Sequence, residues 1–80
     1  MSARLYLGNL ASQTTVADLE TLFEQHSLPL RYSPLVRKGF AFVDCQDNET
    51  ALRALHLFSG KVELHGVILC LEHSVQKRLR

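Results

Sequence analysis

The stretch Lys38-Gly39-Phe40-Ala41-Phe42-Val43-Asp44-Cys45 decides the fold of this chain, because its residues alternate between two chemical kinds. Successive side chains of an extended strand point to opposite faces. One face would receive the small or aliphatic set, which suits a core: Gly39, Ala41, Val43 and Cys45. The other face would receive two aromatic rings between a cation and an acid: Lys38, Phe40, Phe42 and Asp44.

A second segment, Leu5-Tyr6-Leu7-Gly8-Asn9-Leu10, alternates in the same way, with Leu5 and Leu7 inward and Tyr6 outward. In the alternative interpretation the three rings are core residues and the alternation is inverted, since buried Phe is far commoner than exposed Phe. Inversion would bury Lys38 and Asp44, and burying unpaired charges is costly. We therefore favour outward rings, which can stack on bases while Lys38 neutralises a phosphate.

The other segments complete an α+β domain spanning residues 1–80. Periodicity and turn residues predict strands over about 4–9, 30–36, 38–45 and 67–73, and helices over about 15–26 and 47–58. Thr15 with Asp18 forms a capping-box pattern, Asp47 can cap the second helix, and Pro34 indicates an edge strand or a bulge. We predict a ferredoxin-like βαββαβ sandwich, with a four-stranded antiparallel sheet and two helices on one face. A short arm turning at His65-Gly66 precedes the last strand, and residues 75–80 form a basic tail.

The distribution of charge is more informative than the net charge of +1. Basic residues lie at predicted strand ends and in the tail, while acidic residues lie in the predicted helices. This predicts a basic sheet side and an acidic helix side, although scattered solvated charge is the alternative. No apolar run approaches the ~20 residues of a membrane span, so we expect no membrane partner.

The potentially reactive side chains do not form a catalytic or metal-binding pattern. Cys45 and Cys70 fall on different predicted strands and opposite faces, so we expect two free thiols and a reducing compartment. The four histidines are far apart in sequence and lack metal-ligand spacing. There is no nucleophile–base pair and no glycine-rich phosphate loop. We expect no catalytic residues, no metal, no cofactor and no enzymatic activity.

The two alternating segments resemble the paired motifs of the RNA recognition motif family. The octamer matches seven of the eight positions of the motif known as RNP1, with Cys45 as the departure, and the hexamer resembles its partner RNP2. The resemblance implies that Tyr6 and Phe42 stack on successive bases, that Phe40 lies against the sugars and that Lys38 meets a phosphate or a base edge. The full set of expected RNA-binding residues is Tyr6, Phe40, Phe42, Lys38, Asn9, Arg4, Glu72, Lys77 and Arg78.

Further segments resemble the first such domain of the insulin-like growth factor 2 mRNA-binding protein family. They include residues 17–20, the stretch Phe58-Ser59-Gly60-Lys61-Val62-Glu63-Leu64 and the ending Glu72-His73-Ser74-Val75. Residues 31–37 and 67–70 depart from that family's pattern. The resemblance implies a cytoplasmic protein, with the nucleus as a second location, that binds single-stranded mRNA and regulates its translation and stability. It also implies a second domain of this kind in the same chain, followed by KH domains.

A protein-interaction module is the competing interpretation. Related domains hold peptides on their helical face or pack on a tandem neighbour, and Leu52, His56 and Leu57 would form a cluster on the outer side of the second helix. Peptide-binding variants, however, carry an Arg-x-Phe sequence before the last strand, where this chain reads Ser59-Gly60-Lys61-Val62-Glu63. They also tend to lose the sheet aromatics, which this chain keeps. We therefore expect RNA to be the main partner.

Overall fold

The computed structural model describes residues 3–74, in which two helices pack on one antiparallel sheet. The elements in chain order are β1 (Arg4–Gly8), α1 (Val16–Gln25), β2 (Leu35–Arg37), β3 (Phe40–Asp44), α2 (Asn48–Phe58), β4 (Glu63–Leu64), β5 (Val67–Ile68) and β6 (Cys70–His73). Among the described residues, four strands form the main sheet in the order β2-β3-β1-β6, and β4 and β5 form a separate two-stranded sheet. The predicted α+β ferredoxin-like fold is confirmed.

The alternation predicted for the two central strands is confirmed. Leu5, Leu7, Ala41 and Val43 are all 0% exposed, while Tyr6, Phe40 and Phe42 are only partly buried. The β1–β3 register places Leu5 opposite Val43 and Tyr6 opposite Phe42. Each face therefore receives matched side chains from both strands, with the aliphatic residues beneath the helices and the rings on the open side.

Both helices begin at side-chain caps that the sequence predicts. Thr15 accepts a hydrogen bond from the backbone N–H of Asp18, and the Asp18 carboxylate accepts one from the backbone N–H of Thr15. At α2, the Asp47 carboxylate accepts hydrogen bonds from both the N–H and the hydroxyl of Thr50. These bonds satisfy backbone donors that the first turn of a helix leaves unpaired.

The core lies between the sheet and the two helices. Phe23 of α1 and Phe58 of α2 are 0% exposed and meet edge to face, with ring centroids 5.1 Å apart. Two of the chain's four phenylalanines thus fill the interior, and the other two lie on the open sheet face. Val16, the first residue of α1, is 37% exposed.

The second strand is much shorter than the predicted range 30–36. Leu30 forms an isolated bridge with Cys45, and Arg31 donates its N–H to the carbonyl of Asp44. The chain then leaves the sheet and rejoins it at Leu35. Pro34, which has no N–H to donate, lies in the segment that departs.

Two other predicted strands also differ from the structure. The strand predicted over 38–45 begins only at Phe40, because Lys38 and Gly39 form the turn between β2 and β3. Gly39 has a φ of 84°, a conformation that glycine adopts without steric cost. The strand predicted over 67–73 is divided at the buried Leu69, whose N–H bonds to Val62 and whose carbonyl accepts from Gly60. Ile68 is consequently on the β4–β5 hairpin and not on the main sheet.

The β4–β5 hairpin is attached to the start of α1 by a side-chain contact. Its turn is formed by His65 and Gly66, both with positive φ, as the primed turns of tight hairpins require. The Nε2 atom of His65 lies 2.7 Å from the Asp18 carboxylate. This contact and the bond from Thr15 lower the pKa of Asp18 below its usual value, the His65 contact being the larger cause.

Replacing Thr15 with alanine removes the side-chain cap of α1. We expect the free energy of unfolding to fall by ~0.5–2 kcal/mol, the usual cost of losing such a cap. Thr21→Ala is the matched control, since Thr21 is exposed within α1. Urea denaturation followed by circular dichroism measures both, and equal losses in the two variants would contradict the capping role.

Acid should destabilise the fold through the two capping carboxylates. The hydrogen bonds from Thr50 lower the pKa of Asp47, as the contacts described above lower that of Asp18. Because the folded-state pKa values are depressed, the stabilisation is present above about pH 4 and is lost as the pH falls through the lower folded values. Denaturation midpoints between neutral and acidic pH should decline less steeply for Asp18→Asn/Asp47→Asn than for the wild type. Parallel declines would disprove the assignment.

Candidate nucleic-acid interface

Three aromatic rings form one contiguous surface on the open face of the sheet, which we call the aromatic platform: Tyr6, Phe40 and Phe42. The Tyr6 and Phe40 rings are 6.0 Å apart with an interplanar angle of 29°, and Tyr6 and Phe42 are 5.6 Å apart. Phe40 and Phe42 meet nearly edge on, at 5.8 Å and 82°. Such spacings are typical of mutually packed rings, and all three side chains are partly exposed.

The position of Tyr6 depends on the glycine two residues after it. A Cβ atom built on Gly8 would lie 3.0 Å from Cε2 of the Tyr6 ring. The Tyr6 ring therefore lies along β1 and covers Gly8. The side chain of any larger residue at position 8 would compete with the ring for this space. Because side chains two residues apart share one face of a strand, Gly8 forms the floor beneath the ring.

Arg4, predicted as an RNA-binding residue, is already engaged by a carboxylate on the same face. Its Nε and Nη2 atoms donate to the two oxygens of Asp44 at 3.0 and 3.2 Å. The hydrogen bond and the charge of Asp44 raise the pKa of Arg4. The guanidinium carbon is 5.4 Å from the Phe42 centroid, within the range of a cation–π contact. The structure thus makes Arg4 a neighbour that orders Phe42, and its charge is shared with Asp44.

The predicted cation Lys38 is exposed at the β2–β3 turn, together with Arg37 at the end of β2. Arg37 lies opposite Phe40, so the pair of cations borders the aromatic platform at one corner. Asn9 is near the same corner, because the next residue, Leu10, donates its N–H to the carbonyl of Gly39. Three polar groups that can hydrogen-bond to phosphate or base edges therefore meet at this end of the sheet.

The opposite side of the platform is bordered by β6. Glu72 lies directly opposite Tyr6, and Cys70 lies opposite Gly8. Both side chains are exposed. A carboxylate on this face weakens the expected separation into a basic sheet side and an acidic helix side. Lys77 and Arg78, also predicted to bind RNA, lie outside the residues that the structure describes.

Two residues on the open face were not among the predicted contacts. Leu35 lies opposite Phe42 and is 42% exposed, so it extends the apolar surface to the edge of the sheet. Arg37 adds a cation beside Phe40. The alternation within β2 places Leu35 and Arg37 on one face, but the sequence does not show which residues of β2 pair with β3.

The helical side offers two further surfaces. Leu52 and Leu57, which belong to the cluster noted in the sequence, are 51% and 39% exposed on α2. A groove beside α1 is bordered by Glu20 and Glu24 and by the exposed ring of Tyr32. Glu20 already accepts a hydrogen bond from the hydroxyl of Ser33. Neither surface combines ring stacking with phosphate-binding groups as the aromatic platform does.

Comparison with known proteins agrees with this geometry. Residues 5–67 match the family model described as the RNA recognition motif. That segment contains all but the first residue of β1, together with both helices and β3, and it includes all three rings of the aromatic platform. The chain belongs to the RNA recognition motif family.

Solved structures of several RNA-binding domains superpose on most of the chain. The N-terminal RNA binding domain of a hypothetical protein is 32% identical with a TM-score of 0.81, over 98% of this chain and 84% of that one. The three N-terminal RNA binding domains of the yeast splicing factor Prp24 give 18% identity and a TM-score of 0.84, over 96% of this chain and 32% of that one. A Sex-lethal protein in complex with RNA gives 20% identity and a TM-score of 0.82, over 98% of this chain and 50% of that one. The last two likenesses support the fold alone.

The described part of the chain holds neither a metal-binding cluster nor a membrane-spanning helix. Within residues 3–74, no group of three or more His, Cys, Asp or Glu side chains is placed to hold a metal ion. In the same residues, neither helix has the length and apolar character needed to cross a membrane.

The two thiols differ sharply in their surroundings. Both are free, as predicted, with Cys45 buried and Cys70 exposed. Burial, together with the charges of Asp44 and Asp47, raises the pKa of Cys45 to about 11. Because the thiolate is the reactive form, Cys45 is protected both by burial and by protonation.

We expect iodoacetamide at mildly alkaline pH to modify the native protein once, at Cys70. Unfolding in guanidinium chloride should expose Cys45 and give a second adduct. Intact-mass and peptide mass spectrometry measure both outcomes. Equal labelling rates for the two thiols in the native protein would contradict the described burial.

Proposed function

We propose that this domain binds single-stranded RNA on the open face of its sheet and catalyses no reaction. The observation that carries the proposal is the aromatic platform, where three rings share one accessible face while matched aliphatic residues fill the core. Membership of the RNA recognition motif family and the likeness to an RNA-binding domain at 32% identity support it.

In this mechanism Tyr6 and Phe42 each stack on a base, and Phe40 packs against the sugar between them. Rings stack on any base, so these contacts supply affinity without much sequence preference. Lys38 and Arg37 neutralise phosphates at the corner formed by the β2–β3 turn, since both are exposed there. Asn9 at the same corner offers an amide that can both donate and accept.

The domain alone should bind weakly. Two stacked bases contribute ~1–3 kcal/mol each, from which the cost of ordering the RNA strand is subtracted. A second domain in the same chain would raise the affinity by increasing the effective concentration of the first. We therefore propose that the natural context is tandem.

The finer assignment follows the resemblance to the insulin-like growth factor 2 mRNA-binding protein family. We propose that the RNA is mRNA, that the protein acts in the cytoplasm with some presence in the nucleus, and that it regulates translation and mRNA stability. The stretch Phe58-Ser59-Gly60-Lys61-Val62-Glu63-Leu64 and the ending Glu72-His73-Ser74-Val75 support this assignment. Crosslinking of the protein to RNA in cells, followed by sequencing, would test it; recovery of chiefly non-messenger RNA would reject it.

Removing either stacking ring should weaken RNA binding. Tyr6→Ala or Phe42→Ala should reduce affinity for a short single-stranded RNA by ~5–150-fold, the equivalent of one lost stacking contact. The rings also pack on each other, so a loss of stability of about 0.5–1.5 kcal/mol is expected. Fluorescence anisotropy with a labelled oligonucleotide gives the affinity, and thermal denaturation gives the stability.

Leu57→Ala is the matched control, since it removes an exposed apolar side chain from α2. Its RNA affinity should equal that of the wild type. Unchanged affinity in both ring variants, or an equal loss in the control, would reject the aromatic platform as the RNA site. Chemical-shift changes confined to the helices on adding RNA would favour the protein-interaction alternative.

A further inference from the structure

The β6 side of the aromatic platform holds a carboxylate that has no partner among residues 3–74. Glu72 is exposed, lies directly opposite Tyr6, and makes no hydrogen bond or ion pair with the described residues. Directly opposite residues of antiparallel strands have their Cβ atoms about 4.5–5.5 Å apart. The carboxylate is therefore within reach of the edge of any base that stacks on Tyr6.

The neighbouring groups that the structure describes leave this carboxylate available to a ligand. Arg4, the cation on the same face, donates two hydrogen bonds to Asp44. Cys70, the other β6 residue on the open face, is small and lies opposite Gly8, which is covered by the Tyr6 ring. The edge of a base that stacks on Tyr6 is thus bordered by the short thiol of Cys70 and by the longer carboxylate of Glu72.

The two borders of the sheet also carry opposite charges. Arg37 and Lys38 lie at the β2 border, where they attract phosphates, whereas Glu72 repels phosphates from the β6 border. Phosphates are therefore favoured at the β2 border and disfavoured beside Glu72. In this arrangement Glu72 meets base edges and not phosphates.

We propose that Glu72 selects guanine at the nucleotide stacked on Tyr6, an inference that rests on the proposed RNA binding. An ionised carboxylate only accepts hydrogen bonds. The Watson–Crick edge of guanine presents two adjacent donors, N1–H and N2–H, which match the two carboxylate oxygens in a bidentate pair. Adenine and cytosine present one amino group beside an acceptor, and uracil presents one N–H between two carbonyl oxygens. The expected order of preference is guanine first and uracil last.

Binding of four short RNAs tests this selection: UUUUU, UUGUU, UUAUU and UUCUU. The single substituted nucleotide can slide to the Tyr6 position, so the comparison holds whatever the register of the bound strand. The wild type should bind UUGUU about 5- to 150-fold more tightly than UUUUU, the discrimination usual for a bidentate base contact. Isothermal titration or fluorescence anisotropy at fixed salt concentration gives the four affinities.

Glu72→Gln replaces one acceptor with a donor, so the side chain no longer matches the two adjacent donors of guanine and instead fits a donor–acceptor edge, which every base presents. In this variant the preference for UUGUU over the other three RNAs should largely disappear. Glu63→Gln is the control for the change in net charge, because Glu63 is exposed on β4, in the separate two-stranded sheet. It should keep the order of the wild type.

The outcomes distinguish the two proposals. If the wild type binds all four RNAs equally, or if Glu72→Gln leaves the order unchanged, the selection of guanine is overturned while RNA binding stands. If the wild type binds none of them, the proposed function and this inference fall together. A preference for guanine that is lost in Glu72→Gln and kept in Glu63→Gln supports the assignment.

Discussion

The register of the two central strands is the constraint on which the rest of this molecule depends. Leu5 lies opposite Val43 and Leu7 opposite Ala41, and all four side chains are fully buried beneath the helices. Because the side-chain period of a strand is two, a slip of one residue would bury the rings and expose the aliphatic set. The same pairing that closes the core therefore holds Tyr6, Phe40 and Phe42 in the open.

The charges on the open face follow from that register. Arg4 and Asp44 are directly opposite across β1 and β3, which allows their two hydrogen bonds. An exposed ion pair contributes little to stability, ~0–1 kcal/mol, so its main effect is geometric. It holds the guanidinium over Phe42 and removes one cation from the set available to phosphate. Within residues 3–74, the positive charge available to a ligand on this face is then concentrated at the β2–β3 turn, and Glu72 carries negative charge at the other side.

Much of this architecture could be predicted from the residues, because the decisive signals are local. Alternation in two short segments predicted the faces of β1 and β3, and the Thr15–Asp18 spacing predicted the cap of α1. The failures involve long-range pairing. Leu30 bridges Cys45 before the chain departs around Pro34, and Leu69 is bonded to the segment after α2, so one predicted strand is shortened and another is divided. The engagement of Arg4 by Asp44 joins residues forty positions apart, and no local pattern shows it.

The outer margins of the sheet have a consequence for how copies of this domain behave at high concentration. On one margin, β2 is only three residues long and follows a proline. On the other, the hydroxyl of Ser59 both accepts from the N–H and donates to the carbonyl of Leu71 on β6. Long sheet edges with unpaired backbone amides are templates for pairing with another chain. The short β2 reduces the length of one edge, and the Ser59 hydroxyl occupies backbone groups on the other. The domain can thus expose aromatic rings on the face of its sheet while offering few unpaired backbone groups for edge-to-edge association with other copies.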